Sequence, residues 1–476
     1  MASRQDVVAL RRFGLGPRPG DLARIGDARA ALIAEVEARR LPPVAGLALT
    51  TPAEIAAAFY AFLDAQRAAR RVASAPQTQA PEAPPAMQTP DALQPPPALQ
   101  TPQQAEPPLP QRVFRDEATA RVAVALESGV GFGERLAMFW SNHFCISVAK
   151  GQFLRAQAGL FEREAIRPHV FGRFEDMLVA VASHPAMLAY LDNAQSIGPN
   201  SPAGARRGRG LNENLAREIL ELHTLGVRGG YTQADVAEFA RILTGWTIAG
   251  PEGRLGAPGG FVFNPRAHEP GARRLLGATY PEGGLEQGRA ALAALARHPA
   301  TAAHVAAKLV RAFVGDAPAP ALVSRLAATF RETQGDLAAL ALILVRSDEA
   351  WNAPATRLST PQEFYLAAAR ALGRRPGFGQ IAQPLAAMGQ PLWQPPGPDG
   401  FSLSSAIWTT PEGVKARVEF AAAIGRLGAA GVDPRALAEE ALGPLLSAET
   451  RQAVARAESR PQAIALLLMA PEFQRR

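Results

Sequence analysis

Apolar residues recur at three- and four-residue spacings along most of the chain, and that period predicts helices almost throughout. Residues 5–40 read as one or two helices broken at Gly14–Gly20, and residues 52–72 as another. Further helices are expected at 113–126, 133–146, 154–166, 174–183, 212–225, 301–314, 361–373 and 411–427, with two or three short ones over 435–475. The best strand candidate is the short run Phe261-Val-Phe263. The expected fold class is all-α: one large helical domain with long loops and at most one or two short strands near 261–277. Residues 73–111 break the pattern, with proline every few positions and no lysine or arginine. Such a segment buries too little apolar surface to offset chain ordering, so it is expected to be a disordered Pro/Gln-rich insertion. It separates N-terminal helices (1–72) from the remainder of the same domain (112–476).

The richest polar content within regular structure lies in Gly210–Thr247. A helix from about Asn212 to Leu225 is stopped by Gly226, which takes a left-handed position cheaply. At 100° per residue, Glu213, Arg217 and Glu221 share one side, with Asn214 and Glu218 beside them. Leu215, Ile219, Leu222 and His223 share the other. His223 therefore does not complete a single-helix metal motif with Glu218 and Glu221, and the i, i+3 Glu-x-x-His offset is missing. One reading of the acidic side is an i, i+4 salt-bridged face, Glu213–Arg217–Glu221. The other is a site face carrying carboxylates into a cleft. Thr232 with Asp235 three residues later marks the start of a second helix. Val236, Phe239, Ala240 and Leu243 form its buried stripe, with Glu238 and Arg241 on its outer side.

Composition narrows the function classes. The 47 % hydrophobic content suffices for a core. No apolar run of 18 residues appears, so no membrane span is expected. The first residues lack the apolar stretch of a signal peptide, which points to a cytoplasmic location while leaving export open. Cys145 is the single cysteine, which excludes an internal disulfide and a cysteine-built zinc site. The net charge of +7 comes almost wholly from scattered arginines, with lysine at positions 150, 308 and 415 alone, so no nucleic-acid partner is expected. The cluster Arg206-Arg207-Gly-Arg209 suits either an anion or a solvated loop.

Other chemistry-bearing residues are dispersed. His143 falls on an apolar stripe with Leu136, Phe139 and Trp140, as a core histidine, a metal ligand or a general base would. Asp192-Asn193 suits a turn or hard oxygen ligands. His268-Glu269 sits on a loop, where packing alone explains a histidine less well. His304 and Lys308 are i, i+4 neighbours. The irregular stretch Met388–Phe401, rich in proline and aromatics, is uncommon as mere linker and suits a pocket wall.

Several strings together carry a family likeness: FWSNHF (139–144), YLDNAQS (190–196), NENLAREILELHTLGVRGGYTQADVAEFARILTGWT (212–247), FNPRAHEPGARRLLG (263–277), HPATAAHVAAKLVRAFV (298–314) and MGQPLWQPPGPDGF (388–401). In this order they resemble the domain-of-unknown-function 1800 family over essentially the whole chain outside the insertion. The resemblance implies a largely helical bacterial protein, often of an exported kind. It also implies genes that often neighbour an exported family related to alkaline phosphatases and sulfatases. This chain departs from the family's strings at Leu215 (usually Tyr), at Glu269 (usually Asp after the histidine) and at Phe401 (usually Trp).

Two functions follow. The first is a metal-assisted hydrolase with an unidentified divalent cation, since oxygen and imidazole donors without thiolate suit such an ion. Its candidate ligands are His143, Asp192, Glu218, His223 and His268. Its candidate catalytic groups are Glu218, Glu221, Arg217 and Arg241. The second is a non-enzymatic partner of the phosphatase/sulfatase-like protein, its polar strings fixing an unusual core. No Gly-rich phosphate loop, G-x-S-x-G elbow or H-E-x-x-H string is present, which excludes the commonest motif-bearing classes.

Overall fold

A computed structural model describes residues 3–49, 51–74, 106–207, 210–428 and 430–476. Most of the expected 73–111 insertion, and part of the Arg206–Arg209 cluster, lie outside the described residues. At the insertion's edges the flanking helices extend further than the pattern suggested, to Ala73 on one side and from Leu109 on the other.

The structure is predominantly α, 62 % helical, and among the described residues four short strands form two small sheets. Strand β1 (Trp246–Ile248) pairs antiparallel with β2 (Phe261–Phe263), and β3 (Arg273–Leu275) with β4 (Ala278–Tyr280). Strands β2 and β3 fall in the expected 261–277 region. Their partners β1 and β4 lie outside it, because a lone strand needs a neighbour for its backbone groups.

A large apolar cluster runs from Leu10 and Phe13 through Trp140, Phe174, Leu220 and Phe239 to Phe330 and Trp351. A second joins Ala118 and Val122 to Phe364, Ala421, Ile464 and Phe473 of the C-terminal helices. Phe114 and Trp393 pack against both. The seam between the clusters carries buried arginines that satisfy backbone carbonyls. Arg370, fully buried, donates to the carbonyls of Gly16 (2.7 Å), Ala125 (3.1 Å), Leu126 (3.1 Å), Ser128 (2.8 Å) and Gly129 (2.6 Å). Those carbonyls include the last of the Leu109–Glu127 helix, which have no partner within the helix itself.

The central stretch departs from one uniform helix. It is α-helical over Asn214–Glu218 and then widens into a π-helical turn over Ile219–Thr224. The Thr224 hydroxyl donates to the Ile219 carbonyl at 2.6 Å, and the Leu225 N–H reaches the Leu220 carbonyl, five residues back. Such wide turns gather at functional sites. The next helix starts as its capping signal implies. The Thr232 N–H donates to Asp235 (2.9 Å) and the Asp235 N–H to the Thr232 hydroxyl (3.2 Å). Among the described residues, no helix is long and apolar enough to cross a membrane.

Candidate functional site

The π-helical turn ends with carbonyls that no later helical N–H reaches, and two histidines from other elements supply the donors. His143, the last residue of the Phe132–His143 helix, places Nε2 3.1 Å from the His223 carbonyl. His304, on the Pro299–Phe313 helix, places Nε2 3.1 Å from the Leu222 carbonyl. A carbonyl only accepts, so each ring carries its hydrogen on Nε2 and leaves Nδ1 as a lone pair. Gly226 makes the second contact feasible. Its φ is +83°, and a Cβ there would lie 2.9 Å from Nδ1 of His304. The centroids of His143 and His223 are 6.2 Å apart, and those of His143 and His304 6.0 Å. Phe139, Trp140 and Phe144 close round His143. The Nδ1 atoms of His143 and His223 are buried with no hydrogen-bond partner among the described residues.

One turn after His304 on the same helix stands Lys308. Burial holds its ammonium down at about 8, while Cys145 and Asp399 oppose the shift. No hydrogen bond or ion pair holds that ammonium among the described residues. Its charge reaches the imidazoles. His223 is held down at about 3 by burial first and then by Lys308 and His304. His304 is held at about 4 by burial and Lys308, and His143 well below the usual histidine range by burial, Lys308 and the other two rings. All three are therefore neutral at physiological pH, and a half-buried cation stands beside three uncharged rings, with Asp399 and Arg311 in electrostatic reach.

The rim of this cluster is acidic and phenolic. Burial, and then Glu221, raise the carboxyl of Glu218, with Asp399 adding to the effect. Tyr190 is raised by burial and by Cys145, Glu218 and Asp399. Cys145 is pushed up to about 12, chiefly by burial, and its thiol donates to the Pro398 carbonyl at 3.3 Å, so it is an inert wall rather than a nucleophile. Asp399 and Pro398 come from the Met388–Phe401 stretch, which does wall a pocket.

The structure thus joins His143 and His223, as two of the expected ligands, and sets Glu218 within electrostatic reach of Tyr190 and Asp399. It does not bring in the others. Asp192, at a φ of +60°, is paired with Lys150 at 2.7 Å. His268 packs on Phe263 and donates from Nδ1 to the Thr244 carbonyl at 2.9 Å, so packing explains this loop histidine after all. Its neighbour Glu269 is fully buried and binds Asn200. Arg217 pairs with Glu213 at 2.8 Å, as the salt-bridge reading has it, but Glu221 accepts from the Tyr231 hydroxyl at 3.1 Å instead of joining that pair. Arg241 is held by Glu238 at 2.5 Å.

The donor set does not fit a divalent cation. His143 has spent its Nε2 on a carbonyl, Asp192 is paired with Lys150, and His268 has spent its Nδ1 on the Thr244 carbonyl, leaving a single buried Nε2 without a partner among the described residues. Among the described residues no group of three or more His, Cys, Asp or Glu side chains is arranged to hold a metal ion. The two orphaned Nδ1 atoms that remain lie in the field of Lys308, which repels a dication. Lys308, Tyr190 and Asp399 were absent from the expected site. The available signals were the rarity of lysine in this arginine-rich chain and its i, i+4 spacing from His304.

No curated protein and no solved structure matches the chain. The family model described as "Protein of unknown function (DUF1800)" matches residues 8–475, nearly the whole chain, and the protein belongs to that family.

Proposed function

We propose that this protein is an enzyme of hydrolytic type whose site is the residue cluster around Lys308, with Lys308 as general base and Glu218 as proton donor. The observation that carries the reading is a cation that makes no hydrogen bond or ion pair among the described residues, set beside neutral imidazoles with Asp399 in electrostatic reach. An unpaired charge costs stability, and a fold retains one where a ligand or a reaction uses it. A lysine near 8 supplies an appreciable neutral fraction at physiological pH, and a carboxyl raised by burial retains its proton longer. Tyr190 and Asp399 are then the nearby polar groups available to orient a substrate. The divalent-cation form of this reading lacks a fitting donor set, so the proton transfers are assigned to the chain's own side chains.

The test has two parts. Amine-directed labelling across a pH series, read by peptide mass spectrometry, should show Lys308 reacting at lower pH than Lys150 or Lys415. Chromogenic ester, amide, phosphate-ester and sulfate-ester substrates should then reveal turnover that falls at least about 100-fold in Lys308→Met, as expected for loss of a general base. Lys308 labelling like an ordinary lysine, or equal turnover by the variant, would overturn the assignment.

A second reading rests on a different surface. Val414 and Val418, 43 % and 48 % exposed, lie one turn apart on the Pro411–Gly428 helix, and a partner related to phosphatases or sulfatases would cover them. In that case Val414→Lys/Val418→Lys abolishes binding to such a partner in calorimetry and leaves the Lys308 labelling profile unchanged. Undiminished binding by the double variant would end this reading.

A further inference from the structure

On the other side of Cys145 lies a cavity of about 80 Å³, between the Phe132–His143 helix, the start of the Pro361–Ala371 helix and residues 390–403. Arg121, Arg135, Arg357, Glu363, Gln362 and Trp393 are among its lining side chains. The three arginines are 6 %, 4 % and 2 % exposed, and Glu363 5 %. Their charges do not balance. Glu363 takes Arg135 on one oxygen (2.6 Å) and Arg357 on the other (2.9 Å), and the second oxygen also accepts the Thr360 N–H. Arg135, Arg357 and Arg476 together hold the Glu363 carboxyl well below the usual carboxylate range, against the opposing effect of burial. Arg121 has Glu162 at 3.0 Å, a carboxylate also bound by Ser141 and Trp393. Four guanidiniums thus face two carboxylates, and the carboxylate oxygens are already engaged.

Two donors remain. Nη1 of Arg121 and Nε of Arg357 are buried without a hydrogen-bond partner among the described residues, and both belong to side chains that line the cavity. A buried charge left uncompensated is destabilising, and guanidinium forks match the oxygens of an anion. The space exceeds the ~10–15 Å³ that one water requires.

We propose that this cavity binds one small oxyanion of phosphate or sulfate size, held by Arg121 and Arg357 in the field of Arg135. The inference is independent of the reaction assigned to Lys308, because it is read by binding and not by turnover. The anion supplies the missing negative charge and takes the two unused donors. The aromatic wall made by Phe139, Phe313, Trp393 and Phe401 keeps the field of the guanidiniums strong.

The test uses the full chain, first dialysed free of phosphate and sulfate. Sodium phosphate and sodium sulfate are titrated by calorimetry and thermal melting against sodium chloride at matched ionic strength. One oxyanion should bind per chain, and the unfolding midpoint should rise by a few degrees above the chloride control. Gln362→Glu places a carboxylate among the arginines; it should abolish both signals and melt at or above the wild-type midpoint in anion-free buffer. Should that variant fail to fold, Leu403→Trp, which fills the same space without charge, should lose the binding isotherm. Phosphate and sulfate acting no better than chloride would leave the cavity to water and overturn the proposal. So would either folded variant binding like wild type, since the ion would then sit elsewhere.

Discussion

His143 and His223 are joined through the main chain and not through their rings: Nε2 of His143 donates to the His223 carbonyl at 3.1 Å while the ring centroids stand 6.2 Å apart. The bond fixes the tautomer of His143 and caps the π-helical turn. Neither ring is tied to a carboxylate, and the pull of this bond towards a protonated His143 is outweighed by burial and Lys308. Together with His304 they form an uncharged shell on which Lys308 is the local charge.

That shell predicts acid sensitivity. The folded-state pKa values of all three histidines lie below the unfolded value of about 6.5. The unfolded chain therefore binds more protons once the pH drops below about 6.5, and stability must fall with it. His223, held at about 3, alone accounts for about 1.5–2 kcal/mol between pH 6.5 and 5. Urea unfolding at pH 7.5, 6.5, 5.5 and 5.0 should show this loss, and His223→Gln should reduce the slope. A flat profile down to pH 5, where carboxylates still hold their charge, would contradict the neutral-shell reading.

Gly226 should be sensitive to substitution, because it meets the His304 ring. Its left-handed backbone already disfavours any side chain, and a methyl group would press on the His304 ring. Gly226→Ala is expected to cost about 1–3 kcal/mol, combining positive-φ strain with the displaced histidine. Gly230, also at positive φ, has nothing within 4 Å of its would-be Cβ and provides the control. Gly230→Ala carries the backbone cost alone. Equal losses at the two positions would show that the His304 contact contributes nothing.

The seam arginines predict a different kind of damage. Arg370 serves five carbonyls from two chain segments. Arg370→Met fills much of the same volume but leaves those acceptors dry, at about 1–3 kcal/mol for each that water cannot reach. Loss of a cooperative thermal transition, or a drop of at least about 3 kcal/mol in chemical denaturation, is the expected result. Wild-type stability would mean that water replaces the guanidinium, and that the seam is wetter than its burial implies.

Much of this architecture is legible in the sequence, because helical periodicity and capping signals are local. The Thr232–Asp235 cap, the stop at Gly226 and the buried placement of His143 and His223 all follow from spacing. The π-helical turn does not. It depends on His143 and His304 arriving from distant segments to satisfy carbonyls that a regular helix would have used itself. The same dependence hid Lys308. On a helical wheel it is an ordinary lysine near a histidine, and its isolation arises only once Cys145, His223 and Asp399 surround it. Conversely, the conspicuous charges at Arg217, Glu221, Arg241 and Asp192 found partners close at hand, which spacing could suggest for Arg217 but not for Asp192, whose Lys150 lies 42 residues away.

Lys308 offers the sharpest separation of function from stability. Its folded-state pKa of about 8 lies below the ordinary lysine value of 10.5, so folding penalises the charged form. The sign then follows from proton counting: between pH 8 and 10.5 the unfolded chain holds a proton that the folded chain lacks, and stability rises with pH across that window. Below pH 8 the penalty is present in full. Lys308→Met keeps the stem and removes the charge, so at pH 7 it should stabilise the protein, by about 1–3 kcal/mol. The gain should shrink as the pH climbs towards 10.5, which chemical denaturation at pH 7, 8.5 and 10 would resolve. The same change should raise the pKa of His223 and His304, since the lysine's field contributes to holding both down, and imidazole carbon resonances followed by NMR would report it. A variant less stable than wild type at pH 7, with unmoved histidines, would mean that the ammonium has a compensating partner and that the cluster is structural rather than poised for chemistry.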